Sequence, residues 1–121
     1  MKQILLADDN FGLLSALRLL LETRFEMKLI VEARDMEHVL AQIEDTNPDL
    51  LILDWELPGR PIRERINILK TMIPGLKIII TSTRPETMST VLAEGADGFI
   101  SKSDPPAKIL EVIRKFFQAG E

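Results

Sequence analysis

The sequence contains no cysteine and a single histidine, His38. Without cysteine, disulfides and thiolate chemistry are excluded, and the usage fits a reducing compartment. One histidine cannot build the His/Cys cluster of a zinc centre. No apolar run approaches the roughly 20 residues of a membrane-spanning helix. A strand-like segment begins almost at the first residue, so no leader is expected. There is no Gly-rich phosphate loop, no dinucleotide fingerprint, no internal repeat and no low-complexity tract. The net charge of -4 argues against direct attraction to nucleic acid or to an anionic membrane. These absences together point to a cytoplasmic protein.

What remains is 121 residues of which 45% are hydrophobic, enough for the core of one domain spanning 1–121. The most informative stretch is Leu50-Leu51-Ile52-Leu53-Asp54, a continuous apolar run that ends on a carboxylate. Such a run reads as a strand buried on both faces, the kind found inside parallel sheets. Three further segments repeat the pattern. Ile4-Leu5-Leu6-Ala7 leads into Asp8-Asp9, Ile78-Ile79-Ile80 into Thr81-Ser82-Thr83, and Gly98-Phe99-Ile100-Ser101 into Lys102.

Between these segments apolar residues recur at helical spacing. The first helix carries Leu13, Leu14, Leu17, Leu20 and Leu21, with Asp9 or Asn10 as its cap. The second follows the strand Lys28 to Ala33, with Asp35 as cap and Met36, Val39, Leu40 and Ile43 buried. The third carries Ile62, Ile66, Leu69 and Ile73. The fourth is expected from a Thr83 cap to about Glu94, with Met88, Val91 and Leu92 inward. The fifth follows an Asp104 cap, with Ile109, Val112, Ile113, Phe116 and Phe117 as its core face. Arg60, Arg63 and Arg65 read as a solvated face, and Trp55 as packing near the mouth of the site.

Five strands alternating with five helices, joined by right-handed crossovers, make a doubly wound parallel α/β sheet of order 2-1-3-4-5. Ligands of such sheets bind beyond the carboxyl ends of the strands, at the switch point. Here that point lies between Asp8-Asp9 and Asp54. Clustered carboxylates repel unless a cation neutralises them, and an oxygen-only site suits Mg²⁺. The hydroxyls and Lys102 add a second theme, because an amine and a hydroxyl complement the oxygens of a phosphoryl group arriving at a carboxylate. Asp54 is then the nucleophile of an acyl phosphate. Taken singly, Asp8-Asp9 could be a helix cap, Asp54 a polar strand end and Lys102 a solvated side chain. Their joint placement at strand ends carries the reading.

Over its whole length the sequence resembles the receiver domain of two-component response regulators, a flavodoxin-like (βα)5 fold. The residues that carry the resemblance are Asp8-Asp9, Asp54 with Pro58, Ser82 or Thr81, Gly95-Ala96-Asp97-Gly98-Phe99, and Lys102. The resemblance implies phosphoryl transfer from the phosphohistidine of a histidine kinase or phosphotransfer protein to Asp54. It implies Mg²⁺ held by Asp9, Asp54 and the Glu56 backbone carbonyl, with Asp8 assisting, and a phosphoryl oxygen held by Lys102. The hydroxyl ending the fourth strand and the aromatic Phe99 would then reorder the helix 4–strand 5–helix 5 face for an output domain or a homodimer. Ser82 is the expected hydroxyl, from its spacing after Asp54, with Thr81 as the alternative because it fits the spacing back from Lys102 slightly better. Glu56 and Arg84, which flank the phosphate entrance in the family, are expected to pair across it.

Two departures stand out: Ser103 follows Lys102 where the family commonly has proline, and Ile62 stands where it often has glycine. They leave as the alternative a receiver-like interaction module that works without phosphate. An aspartyl-phosphate phosphatase is the other rival. Such enzymes usually carry Asp-x-Asp on the nucleophile strand, where this chain has Glu56.

Overall fold

The computed structural model describes residues 2–57 and 61–118. Pro58, Gly59 and Arg60 lie outside the described residues, as does the side chain of Ile62. Five strands, β1 (Lys2–Ala7), β2 (Met27–Ala33), β3 (Leu50–Asp54), β4 (Lys77–Ser82) and β5 (Gly98–Ser101), form one parallel sheet of order β2-β1-β3-β4-β5. Helices α1 (Phe11–Arg24), α2 (Met36–Thr46), α3 (Ile62–Met72), α4 (Met88–Ala93) and α5 (Pro106–Gln118) alternate with them.

The apolar runs are continuous because both faces of the sheet are covered, and strand side chains alternate between the faces. Leu5, Leu51, Leu53, Ile78 and Ile80 pack with Val39 and Ile43 of α2, Ile66 and Leu69 of α3, and Val91 of α4. Ile4, Leu6, Leu50, Ile52, Ile79 and Ile100 pack on the other face with Leu14, Leu17 and Leu21 of α1 and Ile109, Ile113 and Phe117 of α5. Phe117 stacks on Phe25 with ring centroids 4.5 Å apart, and Phe116 packs half-buried on the same side.

Local signals act as the sequence predicts at several ends. Asn10 caps α1 through Leu13 N, and Asp35 caps α2 through His38 N. Gly95, at φ 113°, takes the left-handed conformation that ends α4, a position that strains any side chain bearing a Cβ. Gly98 is required for another reason. A Cβ there would meet the Phe116 ring at 3.2 Å and Ile79 Cγ1 at 3.3 Å, so glycine lets α5 close on the sheet.

Four expectations are corrected. Thr83 does not cap the fourth helix: its hydroxyl turns to Glu56, and a short 3₁₀ turn, Pro85–Thr87, precedes α4. With the helix so shortened, only Val91 of its three apolar residues faces the core, while Met88 and Leu92 are exposed. Asp104 does not cap α5 but closes the preceding turn, accepting from Ser101 N at 3.2 Å. Arg65 is not on a solvated face. It is only 6% exposed, one helical turn before the buried Leu69.

Candidate functional site

The sheet carries its functional side chains on the carboxyl edge, and strand alternation selects which of them meet. Asp8 continues the parity of Ile4 and Leu6, Asp54 that of Leu50 and Ile52, Thr81 that of Ile79, and Lys102 that of Ile100. All four therefore project toward the α1/α5 side of the edge. The ladder runs just past the strands: Asp8 N donates to Ala33 O, Trp55 N to Thr81 O and Lys102 N to Ser82 O. These bonds fix the acids and the lysine on a rigid frame.

Asp8 and Asp54 are buried, and Asp9 is exposed. Carboxylate oxygens of the three lie within 4.8 Å of one another. Lys102 Nζ stands 2.9 Å from Asp8 Oδ2 and 2.9 Å from Asp54 Oδ1. Asp54 Oδ1 also accepts from Glu56 N at 3.1 Å, and Asp8 Oδ1 from Asn10 N at 2.8 Å. Asp8 Oδ2 is paired with the Lys102 ammonium at 2.9 Å, so the amine holds both buried carboxylates at once. Three carboxylates against one amine leave negative charge in excess. The donor set is oxygen only, and it fits a hard divalent cation.

Burial raises the Asp54 pKa above the usual carboxylate value, and the neighbouring Asp8 charge adds to this. The contact with Lys102 and the Glu56 N–H oppose it. Burial weighs against the Lys102 charge, but its contacts with Asp54 and Asp8 outweigh that and hold its pKa above the ordinary lysine value.

The two candidate hydroxyls have different surroundings. Thr81 is the register partner of Asp54, and its buried Oγ1 has no hydrogen-bond partner among the described residues. Ser82 has the opposite parity. Its hydroxyl donates to Glu56 Oε2 at 3.3 Å and accepts from Arg84 N at 3.0 Å. Glu56 Oε1 also accepts from Thr83 Oγ1 at 3.1 Å and Thr83 N at 3.4 Å. The expected Glu56–Arg84 pair is thus replaced by bonds from Glu56 to the end of β4. Phe99 is half-buried against the α2/α3/α4 core. No cis peptide occurs among the described residues, and Lys102 reaches the acids without one.

Sequence reasoning missed Arg65. Its Nη2 donates to the Leu57 carbonyl, while Nε and Nη1 are buried without an acceptor among the described residues. An available signal was its helical spacing from Leu69, which places it on the inner face.

Fold and site together define a doubly wound α/β protein with an acidic site at the carboxyl ends of its central strands. A sequence model of the response regulator receiver domain matches residues 4–114, and the chain belongs to that family. It is 32% identical over 114 residues to the transcriptional activator protein ExaE of Pseudomonas putida, covering 93% of this chain and 53% of that protein. It is 30% identical to the chemotaxis protein CheY of Halobacterium salinarum, covering 93% of each. The crystal structure of a two-component response regulator of the LuxR family from Aurantimonas sp. SI85-9A1 superposes with a TM-score of 0.84 at 25% identity, covering 95% of this chain and 84% of that one. The chain spans about half the length of several of the curated relatives it matches, such as the 53% of ExaE and 55% of NarL from Escherichia coli. No helix among the described residues is long and apolar enough to cross a membrane.

Proposed function

We propose that the chain is a phosphorylation-switched signalling domain in which Asp54 accepts a phosphoryl group from a phosphohistidine, on a histidine kinase or a phosphotransfer protein. The observation that carries this reading is the buried Asp54 carboxylate within 2.9 Å of Lys102 and beside Asp8 and Asp9. An Asp54 oxygen forms the bond to phosphorus, and the phosphorus–nitrogen bond to the donor imidazole breaks. The bonding electrons leave with the imidazole, which takes up a proton as needed, and nothing is oxidised or reduced.

Asp8, Asp9, Asp54 and the backbone carbonyl of Glu56 would hold Mg²⁺. When bound, it supplies positive charge that neutralises the carboxylates and the transferring oxygens. Lys102 holds a phosphoryl oxygen by charge, on a frame already fixed by the sheet. Thr81 supplies the hydroxyl. It sits in register with Asp54 on the same side of the edge, and its Oγ1 has no partner among the described residues, whereas Ser82 is engaged by Glu56. The output is a changed α4–β5–α5 surface, read by a partner, an attached output domain or a second copy. The exposed Met88 and Leu92 of the short α4 make that surface easy to rearrange. Turnover of a substrate is not part of this role, beyond slow loss of the domain's own phosphate.

Titration with Mg²⁺ and then beryllofluoride, an acyl-phosphate mimic, tests the reading, with Trp55 fluorescence and amide NMR as readouts. A saturable, Mg²⁺-dependent response lost in Asp54→Asn is the expected result. Silence in both readouts would leave the phosphate-independent interaction module as the function.

A further inference from the structure

Arg65 occupies a place where the core would ordinarily take an apolar side chain. It lies on the inner face of α3, with Ile66 beside it and Leu69 a turn further on, both buried. A guanidinium buried to that degree needs a negative partner and acceptors for its donors. It has one acceptor, the Leu57 carbonyl. Two more nitrogens, Nε and Nη1, are enclosed with none among the described residues. Leu57 N donates in turn to the backbone carbonyl of Asp54, so the guanidinium is hooked onto the turn that directly follows the candidate phosphoacceptor. The carboxylate whose charge acts on Arg65 is Asp54, which offsets part of the burial that draws its pKa below the ordinary arginine value.

We propose that Arg65 is a second cation of the phosphorylation site, which answers added negative charge on Asp54 and transmits it to the Asp54–Leu57 turn and to the start of α3. The inference rests on the phosphoacceptor reading above. An acyl phosphate replaces the single negative charge of the Asp54 carboxylate with close to two, a net gain of about one negative charge in a site that already holds Asp8 and Asp9. Lys102 is already divided between Asp8 and Asp54. Arg65 has donors to spare, and its rigid fork suits anionic oxygen. Because it is rooted on α3 and hooked to the Leu57 carbonyl, any draw toward the added charge moves the Asp54–Leu57 turn and the start of α3 relative to β3.

The test uses the whole chain, ¹⁵N-labelled, titrated with MgCl₂ and then with beryllofluoride at saturating Mg²⁺. The Arg65 Nε–H signal, assigned by its absence in Arg65→Lys, is expected to shift on beryllofluoride addition in the unmutated protein. Arg65→Met removes a positive charge, so it is expected to bind Mg²⁺ about threefold more tightly and beryllofluoride about tenfold more weakly, with Arg65→Lys between the two. These opposite signs separate the proposal from a merely structural role, in which loss of the Leu57 contact loosens the loop and weakens both affinities together. Parallel weakening, or affinities within twofold of the unmutated chain, would overturn the inference. So would an unmoved Nε–H signal, a readout that remains if Arg65→Met fails to fold. If the unmutated chain gives no beryllofluoride response, the phosphoacceptor reading falls and this inference with it. A normal response in the unmutated chain with an unaltered Arg65→Met removes this inference alone.

Discussion

Glu56 reaches across the carboxyl edge of the sheet and accepts the Ser82 hydroxyl at 3.3 Å, tying the turn after β3 to the end of β4. The same carboxylate takes the Thr83 hydroxyl and amide, so one exposed side chain gathers three donors from the start of the β4–α4 connection. That connection leads into the helix whose outer face bears Met88 and Leu92.

Glu56→Ala is expected to loosen this connection while sparing the fold. A net contribution of about 1 kcal/mol per hydrogen bond implies that amide exchange at Thr83 and Arg84 accelerates by roughly fivefold. Hydrogen exchange followed by NMR checks this. Unchanged protection at both amides would show that the Glu56 bonds do not hold the segment.

Asp54 carries a pH dependence whose sign follows from burial. Its folded-state pKa is raised above 3.8, so the folded chain binds more protons than the unfolded chain between the two values. Stability attributable to Asp54 is therefore present at low pH and declines as pH rises through that window. Asp54→Asn removes the buried charge and is expected to melt at a higher temperature than the unmutated chain near neutral pH without divalent cation. The difference should narrow in acid, and thermal melts across pH measure it. Lys102 acts at the other limb. Its raised pKa contributes stability that is complete below the unfolded value of 10.5 and is lost as pH climbs through the folded one.

Divalent cation should reverse the penalty at the acid cluster. Mg²⁺ at a hundredfold excess over its dissociation constant stabilises a one-site protein by about 2.7 kcal/mol. The unmutated chain should show a stabilisation of that order, reversed by chelation, and Asp54→Asn should show much less. Equal stabilisation of both would place the cation away from Asp8, Asp9 and Asp54.

Val91 is the single side chain by which α4 reaches the core. Val91→Ala is expected to cost about 1–3 kcal/mol, by lost burial and the cavity left behind. Exchange protection should fall first in Met88–Ala93, and chemical denaturation with residue-level exchange separates this local opening from global unfolding.

Gly98→Ala drives a methyl group into Phe116 and Ile79, which must give way by a few tenths of an ångström. A loss of about 1–3 kcal/mol is expected from such overpacking. A denaturation midpoint matching the unmutated chain would mean that α5 shifts freely on the sheet.

The fold was legible because its signals are local. Continuous apolar runs ending in Asp8, Asp54, Thr81 and Lys102 fix the strands, and helical spacing fixes what lies between them. The handedness of crossovers then leaves few topologies. The acidic cluster was legible for the same reason, since a parallel sheet brings every strand end to one edge. Short range was also where the sequence misled. Thr83 and Asp104 have the residue types of helix caps, yet each is bound to a partner outside its helix, Thr83 across the sheet edge and Asp104 within the preceding turn.

The sequence by itself pointed to the five-stranded order, through alternating strands and helices with right-handed crossovers, and to the meeting of Asp8, Asp9, Asp54 and Lys102, because a parallel sheet brings its strand ends to one edge. Only the tertiary structure decided which hydroxyl stands beside Asp54, since that turns on the β3–β4 register that pairs it with Thr81. It also decided that Arg65 is buried and that Glu56 holds Ser82. Those outcomes depend on how helix and loop close over the sheet edge, where a charged side chain goes wherever its donors and acceptors can be met, and no spacing along the chain specifies that.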